Sequence, residues 1–427
     1  MSQSLSAESS PGGDRPEDSR RKFIRGSSLL LASALPAAGL SAAGLSAAGL
    51  SATDTSDSVG FQPATAPELR REINVGLVGC GSRGLRVVNN LLAASRPDCC
   101  VQLTVVADAF HDSMQRILRG LKGKYPQQVT VDSASRCLGL EGYRQLLQSD
   151  VDLVLLATPP AFRPQHFESA VEAGKHIYAE KPIAIDVLGV KRFQAANQRA
   201  LEQGLVVGVG LPRRFHPQYQ ATVAQLHSGA IGEIVSAQAI QTVRQPCTFP
   251  GGKSHSELEV QLRNWTQHAW ASGGPWVEPH VQNLDVINWL LGDHPLEAQP
   301  LEPQRPGSAQ SNGPSPVEFR YAGGVSVLSQ CRLLDDSQPA RLSLTVQGSR
   351  GHCDLAAGKI FDANGRLVWR AMSAERADGL APSLLAAIIE GTHFNQGADA
   401  VEATLTAILG RTASARGQSV GWNELHS

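Results

Sequence analysis

An α/β fold is predicted, a doubly wound parallel sheet followed by a second α/β domain on a large, mostly antiparallel sheet. Three observations carry it. From Ile73 to about Gly210, short apolar runs alternate with amphipathic segments, the rhythm of strand-helix-strand units. Beyond Leu211, strands succeed one another, several with glycine-containing turns between them. At Gly79 the first apolar run breaks into glycines just where a helix can begin. The domains expected are an N-terminal segment at 1–66, a doubly wound domain at 67–210 and a second domain at 211–427.

The first strand is read in Ile73 to Val78, which apart from Asn74 and Gly76 supplies apolar residues to both faces, as a buried parallel strand needs. Gly79, Gly81 and Gly84 follow at Gly-x-Gly-x-x-Gly spacing, with Ser82 and Arg83 between the last two. Gly79 permits a tight turn, Gly81 lets a pyrophosphate approach the backbone, and Gly84 lets the helix pack close to the strand. Phosphates would sit on that helix's N-terminus, where unpaired N–H groups and the macrodipole favour negative charge. The second strand, Gln102 to Asp108, ends in an acid at the spacing from which a carboxylate receives ribose hydroxyls. A carboxylate there repels a 2′-phosphate, so the cofactor expected is NAD, with NADP disfavoured. Next come a strand at Val151–Ala157 ending in Thr158-Pro159-Pro160, a helix containing His166, and a short strand delivering Glu180-Lys181-Pro182. In such sheets ligands bind beyond the carboxyl ends of the strands, which brings Thr158, Pro159, His166 and Glu180 to the cofactor. Lys181 has its own rationale. Pro182 restricts it to extended backbone, and an amine beside a nicotinium ring suits transfer of a hydroxyl proton.

In the second domain, strands are expected at Glu233–Val243, Pro316–Tyr321, Val325–Arg332 and Arg341–Gln347, with helices at Pro279–Leu291, Pro382–Glu390 and Ala398–Arg416. The last helix is expected to pack back on the first domain. Gln299–Ser315, rich in Pro, Gln, Gly and Ser, reads as an exposed loop.

Composition narrows the function. An apolar fraction of 42% is that of a globular protein, and 38 basic against 39 acidic residues suggest neither nucleic acid nor an anionic membrane as partner. Seven cysteines without Cys-x-x-Cys spacing argue against a metal site or a disulfide framework, leaving buried free thiols. At the N-terminus, Ser19-Arg20-Arg21-Lys22-Phe23-Ile24-Arg25 precedes a weakly apolar, repetitive stretch and matches a twin-arginine signal. The expectation is export to the periplasm or another extracytoplasmic space by the twin-arginine machinery, which carries folded proteins.

At Glu180-Lys181-Pro182, with the glycine turn, the sequence resembles the Gfo/Idh/MocA (glucose-fructose oxidoreductase, inositol dehydrogenase) family. The segments Gly174–Ile185, Gln261–Trp265, Gly273–Trp289 and Leu409–Arg411 extend the likeness over almost everything after the export segment. The resemblance implies a Rossmann domain followed by an open-sheet domain, bound NAD(P), a sugar or cyclitol substrate and a homo-oligomer. It also implies a second half-site, in which a Gly-Gly pair is followed by an acid and, four residues later, an acid/base histidine. Here Glu278 stands at the acid position, Gln282 at the histidine position and Asp285 at the following acid. Glutamine does not exchange a proton near neutral pH. His280 lies two residues earlier, about 200° around a helix. It either points into the cleft from the first helical turn or serves only the structure.

Arg213, Arg214 and His216 resemble the family's substrate-edge turn, and Arg263 and Trp265 suit a sugar pocket, the indole against a pyranose face. A solvated face or a packed core is the alternative for each. The expected function is an exported NAD(P)-dependent oxidoreductase moving hydride to or from a sugar or cyclitol. Two alternatives stand beside it: an NAD-dependent glycosidase that oxidises, eliminates and reduces again, and a non-catalytic cofactor-binding homologue.

Overall fold

The computed structural model describes residues 71–244, 248–252, 254–301, 315–334, 340–372 and 379–426. The export signal expected in residues 1–66 and most of the loop expected at Gln299–Ser315 lie outside the described residues.

The first sheet is parallel throughout. Its strands are β1 (Arg71–Val78), β2 (Cys99–Asp108), β3 (Arg136–Leu138), β4 (Leu153–Leu156), β5 (His176–Ala179) and β6 (Val207–Val209), in the order β3-β2-β1-β4-β5-β6. The order reverses between β1 and β4, and the glycine turn leaves β1 at that switch point. Helices α1 (Ser82–Ala93), α2 (His111–Lys124), α3 (Gly142–Leu147), α4 (Arg163–Glu172) and α5 (Val187–Glu202) cover the sheet. In α1 the buried residues are Gly84, Val87, Val88, Leu91 and Leu92, a stripe at helical spacing that packs on Ile73, Val75 and Leu77 of β1. α5 begins where the Asp186 carboxylate accepts from the Gly189 N–H at 2.7 Å, an N-cap that satisfies one of the helix's orphan donors.

The second sheet has nine strands: β7 (Ile234–Arg244), β8 (Glu297–Pro300), β9 (Val317–Arg320), β10 (Ser326–Leu334), β11 (Arg341–Gly348), β12 (Gly351–Asp354), β13 (Lys359–Asp362), β14 (Leu367–Arg370) and β15 (Val420–Gly421). Their order is β14-β13-β12-β11-β7-β10-β9-β8-β15. All neighbours are antiparallel except β7 and β10, which run parallel in unbroken register from Ser236↔Ser326 to Arg244↔Leu334. The expected loop thus starts later than its composition suggests, because Gln299 and Pro300 pair with Glu318 and Val317.

The longer helices here are α6 (Pro217–His227), α7 (Glu257–Arg263), α8 (Val281–Leu291), α9 (Leu380–Glu390) and α10 (Gly397–Arg416). α10 is buried along most of its length and touches α5 on one side and α8 on the other. Its Gly410 lies under Trp276 and Phe319, where a Cβ would come within 2.7 Å of the phenyl ring. Polar contacts fasten it as well: Asn288 donates to Thr406 Oγ1 at 3.0 Å, and Tyr321 donates to Asn288 Oδ1 at 2.7 Å. The described cysteines, Cys80, Cys99, Cys100, Cys137, Cys331 and Cys353, are buried free thiols.

Candidate active site

At the carboxyl edge of the first sheet a cavity of about 380 Å³ is lined by Gly79, Gly81, Asp108, Phe110, Arg263 and Trp265. Gly79 has φ +101, and a Cβ there would lie 2.7 Å from the Ala157 carbonyl carbon. Gly84 is tighter, a Cβ meeting the Gly79 oxygen at 2.1 Å, whereas at Gly81 a Cβ would meet nothing within 4 Å. Two glycines therefore answer packing and the third faces open space, in front of an α1 N-terminus that no side chain caps and that carries no acid in its first turn. That is the cradle a dinucleotide pyrophosphate requires, and the residues fit the cofactor. Ser82 is exposed at the same helix start.

Asp108 ends β2 with both oxygens engaged, one accepting from the Cys80 N–H at 2.6 Å and the other from the Phe110 N–H at 2.8 Å. Burial pushes its carboxyl above the ordinary value and these two bonds oppose the push. Thr158 and Pro159 line the cavity with His166, whose Nδ1 lies 3.0 Å from the Thr158 hydroxyl. The His166 ring packs on Tyr143 at 4.2 Å. Desolvation, with Arg163 and Arg144 nearby, lowers its pKa to about 3, so it is neutral.

Glu180 corrects an expectation. It is 2% exposed, with Oε1 ion-paired to Arg83 at 2.8 Å and accepting from the Tyr178 hydroxyl at 3.1 Å. Its carboxylate joins the α1 turn to the end of β5 instead of facing the cofactor. Arg163, which sequence reasoning missed, does comparable work. Fully buried, its guanidinium donates to the Thr158 and Pro182 carbonyls and so ties the ends of β4 and β5 together. Burial lowers its pKa to about 10, which still leaves it a cation at neutral pH.

The Lys181-Pro182 peptide is cis, and the Lys181 ammonium reaches across to Glu278, 2.8 Å from Oε1 and within bonding distance of the backbone carbonyl. The Lys181 side chain is nearly buried, while that of Glu278 keeps 27% of its surface open. Gln282 is half-buried, and its side chain has no hydrogen-bond partner among the described residues.

His280 and Asp285 do not join this pair. His280 sits just before α8 with no exposed surface, its Nε2 2.7 Å from the Ser329 hydroxyl and its Nδ1 3.0 Å from Asn283 Nδ2. Asn283 in turn donates to Gln241 at 2.6 Å and accepts from Arg213. Desolvation, then Arg213, lowers the His280 pKa to about 3. It is a neutral link between α8 and the second sheet, and the reading that points it into the cleft is corrected. Asp285, 1% exposed, is bound by Arg214 at 2.9 Å, and desolvation raises its pKa to about 6 against that pull. Arg214 also reaches Asp399 at 3.2 Å, so its donors are spent within the protein instead of clamping a substrate. His216 stands at the start of α6, edge-on to Tyr219 at 5.9 Å, apart from both cavity and ion pair.

Arg263 and Trp265 also move. The Arg263 guanidinium pairs with Asp112 at 2.9 Å and with Glu259 at 3.0 Å, and stacks 4.0 Å from the Phe110 centroid and 5.0 Å from that of Phe249. It holds the Asp112 carboxyl below the usual range. Both residues line the same cavity as Asp108, and Lys181 is not among its lining residues, so they do not form a sugar pocket with it. Asp112 and Phe110 escaped the sequence reading, although their place just after the strand-ending acid was the signal available.

Residues 73–211 match the model of an oxidoreductase family described as having an NAD-binding Rossmann fold (GFO_IDH_MocA). That segment carries the NAD-binding domain of the Gfo/Idh/MocA family. Inositol 2-dehydrogenase 4 of Saccharopolyspora erythraea is 27% identical over 263 residues, 60% of this chain and 66% of that protein. The chain spans about half to two thirds of the curated relatives that match it first. Among solved structures, apo scyllo-inositol dehydrogenase from Lactobacillus casei aligns with TM-score 0.60 at 16% identity, covering 83% of this chain and 99% of that one. Levoglucosan dehydrogenase in complex with NADH and levoglucosan aligns with TM-score 0.61 at 18% identity, covering 82% and 99%. These two likenesses show the fold. The first sheet and its helices are the family's NAD-binding Rossmann unit.

Proposed function

We propose that this protein is an NAD-dependent oxidoreductase that converts a secondary hydroxyl of a sugar or cyclitol to a carbonyl, or the reverse. The observation that carries the reading is the Lys181–Glu278 pair, an ammonium and a carboxylate 2.8 Å apart at the cofactor edge of the sheet. The relatives named for inositol and levoglucosan support the substrate class. When bound, NAD supplies a ring that takes or returns hydride, and Gly79, Gly81, the α1 N-terminus, Asp108 and Thr158 would hold it. Lys181 would bond the reacting hydroxyl and take its proton, passing one to Glu278. Glu278 thereby serves where the family's histidine is replaced by Gln282, and positioning of such a group contributes about 10²- to 10⁴-fold in rate.

The test is reduction of added NAD by a panel of cyclitols and pyranoses, followed through the dihydronicotinamide absorbance. Lys181→Ala is expected to lower turnover by about 10²-fold or more while NAD still binds; unchanged turnover would remove Lys181 from the mechanism. Gln282 favours a second reading, cofactor binding without turnover, which NAD binding with no conversion of any panel member would support. Export remains part of the proposal, on the strength of Ser19–Arg25. A reporter fused to residues 1–66 that stays cytoplasmic would refute it. Assembly into a homo-oligomer and the domains at 67–210 and 211–427 are also part of the proposal.

A further inference from the structure

Resting on the cofactor reading above, we propose that Asp112 sets the preference for NAD over NADP by occupying the two guanidinium groups that would otherwise receive a 2′-phosphate. The acid at the end of β2 is the usual source of that preference, but here Asp108 is poorly placed to act alone. Each of its oxygens already accepts a backbone N–H, from Cys80 and from Phe110. Around it, on the same cavity wall, stand Asp112, Ser113, Arg116 and Arg263. A hydroxyl, two guanidinium groups and the start of the 14-residue helix α2, which no side chain caps, are what a phosphate monoester binds.

Asp112 stands between such an anion and these donors. Its Oδ1 lies 2.9 Å from Arg263 Nη2 and its Oδ2 3.2 Å from Arg263 Nη1, a two-pronged pair, and Oδ2 also lies 2.8 Å from Arg116 Nη2. Formal charge at this corner is then minus one, two arginines against Asp108, Asp112 and Glu259, which holds Arg263 Nε at 3.0 Å. A 2′-phosphate would meet two carboxylates and no unengaged guanidinium. Without Asp112 the corner is neutral, the Arg116 guanidinium loses its carboxylate and both terminal nitrogens of Arg263 are released while Glu259 keeps its Nε. Arg263 would stay in place, because Phe110 and Phe249 flank it at 4.0 and 5.0 Å. The Asp112 side chain is half exposed, so its loss leaves no buried cavity and costs the fold little.

The experiment measures dissociation constants of NAD and NADP for the full chain by calorimetry, with Asp112→Ser and Asp112→Asn as variants and thermal unfolding as the check on folding. Both variants are expected to tighten NADP about tenfold or more, the scale of a charge-assisted phosphate contact, with NAD changing by less than about threefold. Adding Arg116→Gln and Arg263→Gln to Asp112→Ser should return NADP to its wild-type weakness. Unchanged NADP affinity in both folded variants, while NAD still binds, would overturn the inference and leave the cofactor reading intact. Wild-type protein that binds neither nucleotide would overturn both.

Discussion

Gly84 and His280 each stand at the start of a helix that serves the site, but what holds the chain there differs. At Gly84 the constraint is steric, between the helix and the turn that precedes it, and involves residues five apart. At His280 the constraint is a buried polar chain that runs through Asn283 on the same helix to Ser329, Gln241 and Arg213, contributed by strands and a turn far away in sequence. The cofactor half of the cleft is thus set by local backbone geometry, and the other half by long-range satisfaction of polar groups. A local constraint tolerates no side chain, whereas a network tolerates replacement of a member if its partners remain paired.

The largest effect should come from Gly84→Ala. Its Cβ would press on the Gly79 carbonyl at 2.1 Å, and a loss of about 3 kcal/mol in unfolding free energy is expected. Gly81→Ala, whose Cβ enters open space, should unfold like wild type and lose NAD affinity instead; equal stability of the two variants would erase the distinction. His280→Ala should cost about 2 kcal/mol by stranding Asn283 and Ser329, with turnover per folded molecule held within a few-fold. A collapse of turnover at full folding would return His280 to the chemistry.

Protonation gives a smaller handle. His166 and His280 both have a pKa of about 3 in the fold, pushed down by burial from the ordinary 6.5. Their stabilisation is complete above about pH 6.5 and fades as pH falls toward 3, because the unfolded chain takes up the protons first. Asp285, raised to about 6, works the other way, strengthening the fold as pH drops through that value. From pH 7 to 6 the two histidines prevail, and unfolding free energy should fall by about 1 kcal/mol. Chemical denaturation at the two pH values reads this directly, and His280→Asn should remove roughly half of the fall. The smallest effect is expected of Gln282→His. With Glu278 already beside Lys181, turnover should rise by a few-fold at most and the melting temperature stay put. A gain of about 10²-fold would show that the site works by the family's histidine mechanism and has been disabled.

The same contrast decides what the sequence could tell. The glycine turn, the acid closing β2 and the Lys181-Pro182 strand end were all legible, because each motif's meaning lies within a few residues of itself. Arg163 was not, since its partners are the carbonyls of Thr158 and Pro182 and no side-chain pattern announces them. Asp285 and Arg214 sat in a family-like frame and were read as site residues. Only the fold reveals that Arg214 closes on Asp285 and on Asp399, one from α8 and the other from α10. Arg263 failed similarly, as its neighbours Asp112 and Phe110 belong to the other sheet's helices and turns. The short strands β12 to β14 went unread because four residues carry too little alternation to declare a strand.

The parallel register of β7 and β10 has a consequence for how this molecule can change. Arg263, the Glu278 turn and α8 belong to one excursion that leaves the sheet at the end of β7, Arg244, and rejoins it at the start of β8, Glu297, after which β8, β9 and β10 fill one flank of the same sheet. At one end β7 is held by nine residue pairs to β10, and at the other β8 is held by β9 and β15, so the excursion can lengthen, shorten or be exchanged while the sheet keeps its pairing. Lineages sharing this frame could trade whole excursions as cassettes, altering what the enzyme recognises in one recombination event instead of residue by residue.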